Sequence, residues 1–148
     1  MLEGSPAVEN EAKMHTPAAA LFAEALWEMA YLVAALGGRP CAVWMLAGAG
    51  DLYVTCQAGR NSRMGRWLGR GMRYSEAKAR HTREDTVEGA ETALAIGPTV
   101  DAMIERGALD KAALPLTRAI MDTVCRDTPG PIPWDEFFAS PAGGATEA

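Results

Sequence analysis

Apolar residues recur at helical spacing in the first quarter of the chain. They stand three or four positions apart, at Phe22, Leu26, Met29, Val33 and Leu36. This is the pattern of one helix face. Thr16 suits the N-cap of such a helix and Pro17 its first position, and a glycine pair ends the pattern. We therefore predict a helix over residues 17–36. Because only Glu24 and Glu28 are charged within it, we expect most of its circumference to be buried.

The same spacing, interrupted by glycine and proline, predicts further helices. They are expected over residues 60–69, 76–83, 90–106 and 115–126, with shorter turns over 42–47 and 134–138. The stretch from Leu52 to Thr55 is apolar and favours a strand, but no second strand alternates nearby to pair with it. The predicted fold class is therefore all-α, a multi-helix bundle. We expect the helical domain to span residues 16–139, between an irregular segment over 1–15 and a disordered tail over 140–148.

Charge is unevenly distributed along the chain. The net charge is -5 over 148 residues, yet residues 57–83 carry eight basic side chains against the single acid Glu76, a local sum of +7. The remaining residues therefore carry -12. One basic segment in an acidic protein favours a single anion-binding site over an extended nucleic-acid surface. We accordingly expect no nucleic-acid partner.

The composition is that of an ordinary soluble domain, with 49% hydrophobic and 22% charged residues. The longest apolar run, residues 18–23, is too short to cross a bilayer, so we expect no membrane association. The three cysteines are odd in number and far apart, which favours reduced thiols and a cytoplasmic location. Neither histidine has a partner at metal-ligand spacing, so no metal site is predicted.

A glycine-rich stretch, Gly48-Ala49-Gly50, directly precedes Asp51. It is not a dinucleotide-binding fingerprint, because the position of the third glycine holds Tyr53 and no strand precedes it. Glycines here allow a closely packed bend with positive φ that would aim Asp51 in a fixed direction. The ordinary alternative is an aspartate that caps a helix N-terminus. The spacing alone leaves both interpretations open.

Arg60 and Asn61 follow Gly59 where a helix is predicted to begin. A helix N-terminus offers free N–H groups and a favourable dipole, so this pair makes a candidate phosphate site. The alternative is a solvated basic face, since arginines recur here at helical spacing. They stand at Arg60, Arg63, Arg66, Arg70 and Arg73. Glu88, taken alone, is interpreted as a carboxylate at a helix start.

Together these motifs resemble the C-terminal, substrate-binding domain of NAD(P)-dependent glycerol-3-phosphate dehydrogenases. The resemblance covers residues 1 to about 126. Its ordered motifs are Leu26-Trp27-Glu28-Met29, Ala47-Gly48-Ala49-Gly50-Asp51-Leu52, Thr55-Cys56, Gly59-Arg60-Asn61, Leu68-Gly69 and Val87-Glu88-Gly89. It implies an all-α bundle like the C-terminal domains of glycerol-3-phosphate and 6-phosphogluconate dehydrogenases, and a place in glycerophospholipid and carbohydrate metabolism.

The resemblance also implies roles for single residues. Asp51 is similar to the family's aspartate at the hydroxyl end of the substrate, which is sn-glycerol 3-phosphate or dihydroxyacetone phosphate. Arg60 and Asn61, with Gly59 before them, resemble the residues that bind the same substrate. The implied cofactor-contacting residues, for NAD or NADP, are Arg60, Val87 and Glu88. The implied activity is hydride transfer between that cofactor and the substrate.

Several departures from the family pattern concern the implied site. Gly59 replaces a serine within a shorter loop, Thr16 stands where the family often has asparagine, and Ser62 replaces a frequent arginine. The dinucleotide-binding domain and the family's acid/base lysine would precede Met1, so the chain alone is expected to be inactive.

The alternative to the dehydrogenase function is a stand-alone, non-catalytic helical module for binding or assembly. The first long helix is a candidate homodimer face and equally a candidate face for docking the dinucleotide-binding domain.

Overall fold

The computed structural model describes residues 15–140, which form seven α-helices and no strand. The helices are α1 His15–Ala35, α2 Asp51–Gln57, α3 Arg60–Gly69, α4 Tyr74–His81, α5 Glu88–Glu105, α6 Pro115–Val124 and α7 Trp134–Ala139. Short turns of tighter or wider helix lie at Pro40–Trp44, Leu46–Gly50 and Lys111–Ala113. The all-α prediction is confirmed, and the five longer predicted helices end within two residues of the observed ones. The predicted irregular segment over 1–14 and the tail over 141–148 lie outside the described residues.

The strand preference of the stretch from Leu52 to Thr55 is overridden, since these residues lie inside α2. A wide helical turn at Leu46–Gly50 runs directly into this helix. With no neighbouring strand among the described residues, a helix is the conformation that satisfies these backbone N–H and C=O groups locally. The prediction of a short helical turn over 42–47 is confirmed in outline, as two consecutive turns.

The expectation that α1 is buried around most of its circumference is wrong. Its buried residues are Glu24, Leu26 and Glu28, and its other apolar side chains are half-buried or exposed. The reason is that α1 packs mainly against the Pro40–Trp44 turn and α6, which leaves one side of the helix uncovered. Among the described helices, α1 alone is long and apolar enough to cross a membrane by length and composition. Core helices of soluble proteins and signal sequences pass the same test, so the absence of a membrane partner stays a prediction.

The core consists of two apolar clusters that meet at α6. One joins α3, α4, α5 and α6 through Met64, Ala77, Val87, Ala90, Ala93 and Val124. The other contains Val100, Met103, Leu109, Leu114 and Met121. Both clusters include partly buried Cys125 at their edge. Helix α5 is therefore fixed along its whole length, and its N-terminus at Glu88 is held against α3.

Ser140, which the sequence places in the tail, belongs to the folded domain. It is buried, and its hydroxyl donates to the Glu24 carboxyl group of α1 at 3.1 Å. A buried carboxyl group requires hydrogen-bond partners, and Ser140 supplies one from the far end of the chain. The helical domain thus extends at least to residue 140.

Candidate functional site

The start of α3 is an open helix N-terminus. Gly59 precedes it with φ 117° and ψ -169°, a backbone region that essentially only glycine adopts without strain. Gly59 has no side chain, and no side chain caps this helix end. The first-turn N–H groups of α3 have no intrahelical partners. This end of the helix can therefore bind an anion.

Two consecutive residues of α3 bind two consecutive residues of α5. The Arg60 guanidinium donates to a carboxylate oxygen of Glu88 at 2.8 Å. The side-chain carbonyl oxygen of Asn61 accepts from the Gly89 backbone N–H at 3.0 Å. A side chain at position 89 would place its Cβ 3.2 Å from that same oxygen. The Arg60-Asn61 and Glu88-Gly89 motifs are therefore the two halves of one contact.

A groove of about 500 Å³ lies between α1, α2, α5 and α6 and brings the predicted residues together. Asp51, Asn61 and Glu88 all line it. A smaller cleft of about 180 Å³ shares Asn61 and Glu88 and adds Gly59 and Arg60. The volume of the larger groove lies in the range of small-molecule sites, roughly 300–1,000 Å³. Five of the six predicted site residues thus line two adjoining cavities.

Asp51 is held by a helix and not by a bend with positive φ. Gly50 has φ -65° and ψ -47°, and Gly48 is likewise absent from the positive-φ residues. The N-cap interpretation of Asp51 is also wrong, because Gly50 occupies that position. The close packing was predicted correctly, since a Cβ at Gly48 would lie 2.1 Å from the Val43 carbonyl oxygen. The glycine at position 48 lets the two turns before α2 touch, which fixes where Asp51 projects.

Residues 7–129 match the family model described as NAD-dependent glycerol-3-phosphate dehydrogenase C-terminus. The chain belongs to this family. It is 36% identical over 108 residues to the glycosomal glycerol-3-phosphate dehydrogenase [NAD(+)] of Leishmania mexicana, covering 72% of this chain and 27% of the relative. It is 37% identical over 113 residues to glycerol-3-phosphate dehydrogenase [NAD(P)+] of Halorhodospira halophila (strain DSM 244 / SL1), covering 75% and 31% respectively.

A third relative, glycerol-3-phosphate dehydrogenase [NAD(P)+] of Chlamydia pneumoniae, is 42% identical over 78 residues, which is 51% of this chain and 23% of the relative. The chain therefore spans less than a third of the length of these curated relatives. No solved structure matches the chain significantly.

Val87 is the one predicted site residue that lines neither cavity. It is 1% exposed and packs in the core cluster with Met64 and Ala90. It precedes α5 directly, so its burial fixes the position of Glu88. A cofactor contact by Val87 itself stays a prediction.

Thr55 is a site residue that the sequence interpretation missed. It lines both cavities, and its carbonyl oxygen accepts from the Ser62 hydroxyl at 2.8 Å. Ser62 thus ties the end of α2 to the first turn of α3. The available signal was the Thr55-Cys56 motif, which the resemblance included without a role for the threonine.

Glu28 is a second missed residue, and it lines the larger groove from α1. Its carboxylate accepts from the backbone N–H groups of Leu116 and Thr117, each at 2.7 Å, and from the Thr117 hydroxyl. It therefore caps the N-terminus of α6, where a negative charge is also favoured by the helix dipole. Leu116 and Thr117 line the same groove, so Glu28 fixes one of its walls.

Glu24, one turn before Glu28, is fully buried. The pKa of its carboxyl group is raised to about 7, first by burial and then by the nearby charge of Glu28, while the Ser140 hydrogen bond opposes the shift. Two carboxyl groups this close favour one proton between them. Glu24 is therefore the carboxyl group whose protonated form the fold favours.

The basic-face alternative holds only in part. Helix α3 ends at Gly69, so Arg70 and Arg73 lie beyond it and the five arginines do not share one helix. Arg63 binds Asp85 at 2.8 Å and Arg73 donates to the Asp127 carbonyl oxygen at 2.8 Å. These exposed arginines thus also tie neighbouring segments together.

The described residues contain no cluster of three or more potential metal ligands. Cys41 and Cys56 are exposed free thiols, and Cys125 is a half-buried free thiol. Burial raises the pKa of the Cys56 and Cys125 thiols, so neither is activated as a thiolate nucleophile.

Proposed function

We propose that this chain is the substrate-binding part of an NAD(P)-dependent glycerol-3-phosphate dehydrogenase and binds sn-glycerol 3-phosphate or dihydroxyacetone phosphate in the groove. The observation that carries the proposal is that Asp51 and Asn61 line one groove, while Arg60 adjoins it at the start of α3. An acid and an anion-binding helix end are thus available to the two ends of one small phosphorylated alcohol. Family membership supports the same substrate class.

The phosphate is assigned to the open end of α3. Arg60 offers a planar guanidinium, which suits phosphate oxygens geometrically. The Asn61 side chain is oriented by its bond to the Gly89 N–H, and this leaves its NH2 group available as a donor. The side-chain-free Gly59 leaves room at the helix end itself. The Asp51 carboxylate, which can only accept hydrogen bonds when ionised, is assigned to a hydroxyl of the ligand.

The cofactor is assigned mainly to a dinucleotide-binding domain beyond this chain. The described residues form no strand and hence no β-α-β unit of the kind that holds a dinucleotide. Bound NAD or NADP supplies the hydride chemistry, and the contribution of this chain is to orient the carbon that accepts or gives the hydride. Arg60 and Glu88, exposed at the smaller cleft, are the charged groups that could meet the cofactor's edge.

The partner domain is assigned to the apolar side of α1 and α2. A groove of about 630 Å³ lies there, lined by Ala18, Leu21, Phe22, Ala25, Tyr53 and Cys56. Trp44, Met45, Leu46 and Val54, in or next to α2 and the turns that precede it, are further exposed apolar residues. Apolar patches of this kind mark interaction surfaces. The relatives extend well beyond the aligned region, and the length they have beyond this match supports a dinucleotide-binding domain as the occupant over a second copy of the chain.

The decisive experiment is an amide NMR titration of the 148-residue chain with glycerol 3-phosphate. We expect shifts at Asn61 and Gly89, and loss of binding in Arg60→Ala. Arg66→Ala is the matched control, because Arg66 is an exposed arginine six positions further along the same helix. It is a better control than Arg70→Ala, since Arg70 lies over the Trp67 ring at 5.0 Å. Equal losses in both variants would indicate a diffuse basic surface and contradict the proposal.

The stand-alone module is tested by the size of the native protein in its source. An immunoblot band well above 15.7 kDa is expected, because the proposal requires an attached dinucleotide-binding domain. A band near 15.7 kDa would favour a binding or assembly module. We also expect the 148-residue chain alone to oxidise no NADH or NADPH with dihydroxyacetone phosphate.

The free thiols support our proposal that the protein works in the cytoplasm.

A further inference from the structure

The Arg60 guanidinium that is assigned to phosphate already holds an anion of the protein itself. Its NH2 group lies 2.8 Å from a Glu88 carboxylate oxygen, and the two side chains are 44% and 71% exposed. Both residues line the smaller cleft, with Gly59 and Asn61 beside them. A guanidinium has five N–H donors, so a phosphate competes with Glu88 where it binds bidentately through this same NH2 group.

Because of the position of Glu88, Arg60 can exchange it for another anion at a small cost in free energy. Glu88 is the first residue of α5, where the helix dipole favours a carboxylate with or without Arg60. Its side chain is also mostly exposed, so water can replace the guanidinium. Exposed ion pairs of this kind are weak because solvent screens them. Arg60 can therefore pass from Glu88 to a ligand phosphate without leaving a buried charge unpaired.

Asn61 does not take part in this exchange. Its side-chain oxygen is bound to the Gly89 N–H, so its orientation is set by the backbone of α5 and not by a charge. Gly89 directly follows Glu88, so the same two residues of α5 hold both members of the Arg60-Asn61 pair. One donor is thus fixed in advance, while the other is held by a displaceable counter-ion.

We infer that Glu88 is an internal counter-ion of the phosphate site, which holds Arg60 in place and is displaced when a phosphorylated ligand binds. The inference rests on the proposed function, because it requires that Arg60 bind the phosphate. Glu88 then sets the affinity of the site for anions, and each binding event frees a carboxylate at the N-terminus of α5.

The test compares Glu88→Gln with Glu91→Gln in an NMR titration of the 148-residue chain with glycerol 3-phosphate and with inorganic phosphate. Glu91 is the matched control because it is an exposed acid in the same first turn of α5, with no ion pair to Arg60. We expect Glu88→Gln to bind both anions about two- to fivefold more tightly than the unaltered chain, the range set by the strength of exposed ion pairs. Glu91→Gln should show a smaller gain, from the removed charge alone.

A second readout follows the carboxyl carbon of Glu88 in the unaltered chain. Saturation with glycerol 3-phosphate should shift this resonance, because the guanidinium no longer contacts the carboxylate. The inference is overturned if the resonance does not move, or if Glu88→Gln gains no more affinity than Glu91→Gln. The Arg60→Ala variant distinguishes a failure of the counter-ion inference from a failure of the proposed function. Unchanged binding in Arg60→Ala contradicts the proposed function, whereas lost binding there with equal behaviour of the two glutamate variants contradicts only the counter-ion.

Discussion

The side-chain oxygen of Asn61 accepts a hydrogen bond from the backbone N–H of Gly89 at 3.0 Å. This bond joins the first turn of α3 to the first turn of α5 across 28 residues of chain. It also caps α5 from outside, because first-turn N–H groups have no intrahelical partner. Since an N–H can only donate, the amide oxygen must face Gly89, and the amide NH2 is left for another acceptor.

Asn61→Asp separates the structural role of this side chain from its ligand-binding role. The carboxylate keeps the acceptor for Gly89 and places a charge that the α5 dipole favours, so we expect stability to change by less than about 0.5 kcal/mol. The NH2 donor is lost and a negative charge is added. Glycerol 3-phosphate should therefore bind about tenfold more weakly or worse, since a hydrogen bond to a charged group contributes about 1.5–3 kcal/mol. Urea unfolding and an NMR titration measure the two effects.

Asn61→Ala is the comparison for that variant. It removes the acceptor and the donor together. It should therefore lose about 1 kcal/mol of stability and also bind glycerol 3-phosphate more weakly. If Asn61→Asp is as unstable as Asn61→Ala, the bond to Gly89 does not stabilise the junction of α3 and α5. If it binds glycerol 3-phosphate normally, the amide does not contact the phosphate.

Gly48→Ala tests the close packing that positions Asp51. The new Cβ would lie 2.1 Å from the Val43 carbonyl oxygen, a backbone atom that cannot rotate away. We expect a loss of at least about 2 kcal/mol in urea unfolding, as for other overpacked sites. Gly65→Ala is the control, because position 65 lies inside α3 with no atom near the new Cβ. It should gain about 0.5–1 kcal/mol from helix propensity. Similar results for both variants would mean that the turns before α2 adjust freely.

The helices could be predicted because their signals are local. Spacing, proline and glycine fix the bounds of α1 and α3 to within two residues, and Gly37 has the positive φ of 79° expected where α1 ends. The conformation of α2 could not be predicted, because Leu52 to Thr55 favours a strand. Between residues 15 and 140 there is no strand with which it could pair, and this depends on tertiary structure and not on local sequence.

Only the part of the site that lies within short sequence motifs could be predicted. Arg60 and Asn61 follow Gly59 in sequence, so the helix end they share could be inferred. Their partners on α5 are far along the chain, and nothing local links them. The buried role of Glu28 was missed because helical spacing treats a charged residue as exposed. Its partners are the N–H groups of α6, which only tertiary contact brings near.

Glu28→Gln tests whether this carboxylate holds the α6 wall of the groove. A glutamine has one acceptor oxygen, and its NH2 group would face a backbone N–H of Leu116 or Thr117. An unsatisfied buried donor costs about 1–3 kcal/mol, so we expect a loss of about 2 kcal/mol in urea unfolding at pH 6. Thr117→Val removes only the hydroxyl donor and should lose about 1 kcal/mol or less. A smaller loss in Glu28→Gln than in Thr117→Val would show that the backbone bonds contribute little.

Glu24→Gln should remove a pH dependence of stability near neutrality. Folding raises the pKa of Glu24 from 4.5 to about 7, chiefly through burial and then through the charge of Glu28. The fold thus favours the protonated form, and the stability that Glu24 contributes is complete below about pH 4.5 and is lost as the pH rises through about 7. The full difference is about 3 kcal/mol, since one pKa unit corresponds to about 1.4 kcal/mol. Glutamine is neutral at every pH and keeps a hydrogen-bonding group for Ser140.

Urea unfolding at pH 5, 6, 7 and 8 measures the effect. The two proteins should differ by about 1 kcal/mol or less at pH 5, and Glu24→Gln should be the more stable one at pH 8 by up to about 3 kcal/mol. Glu105→Gln, at the exposed end of α5, is the control for removing a carboxylate, and its curve should run parallel to that of the unaltered chain. If the Glu24→Gln curve is parallel as well, the proton does not reside on Glu24.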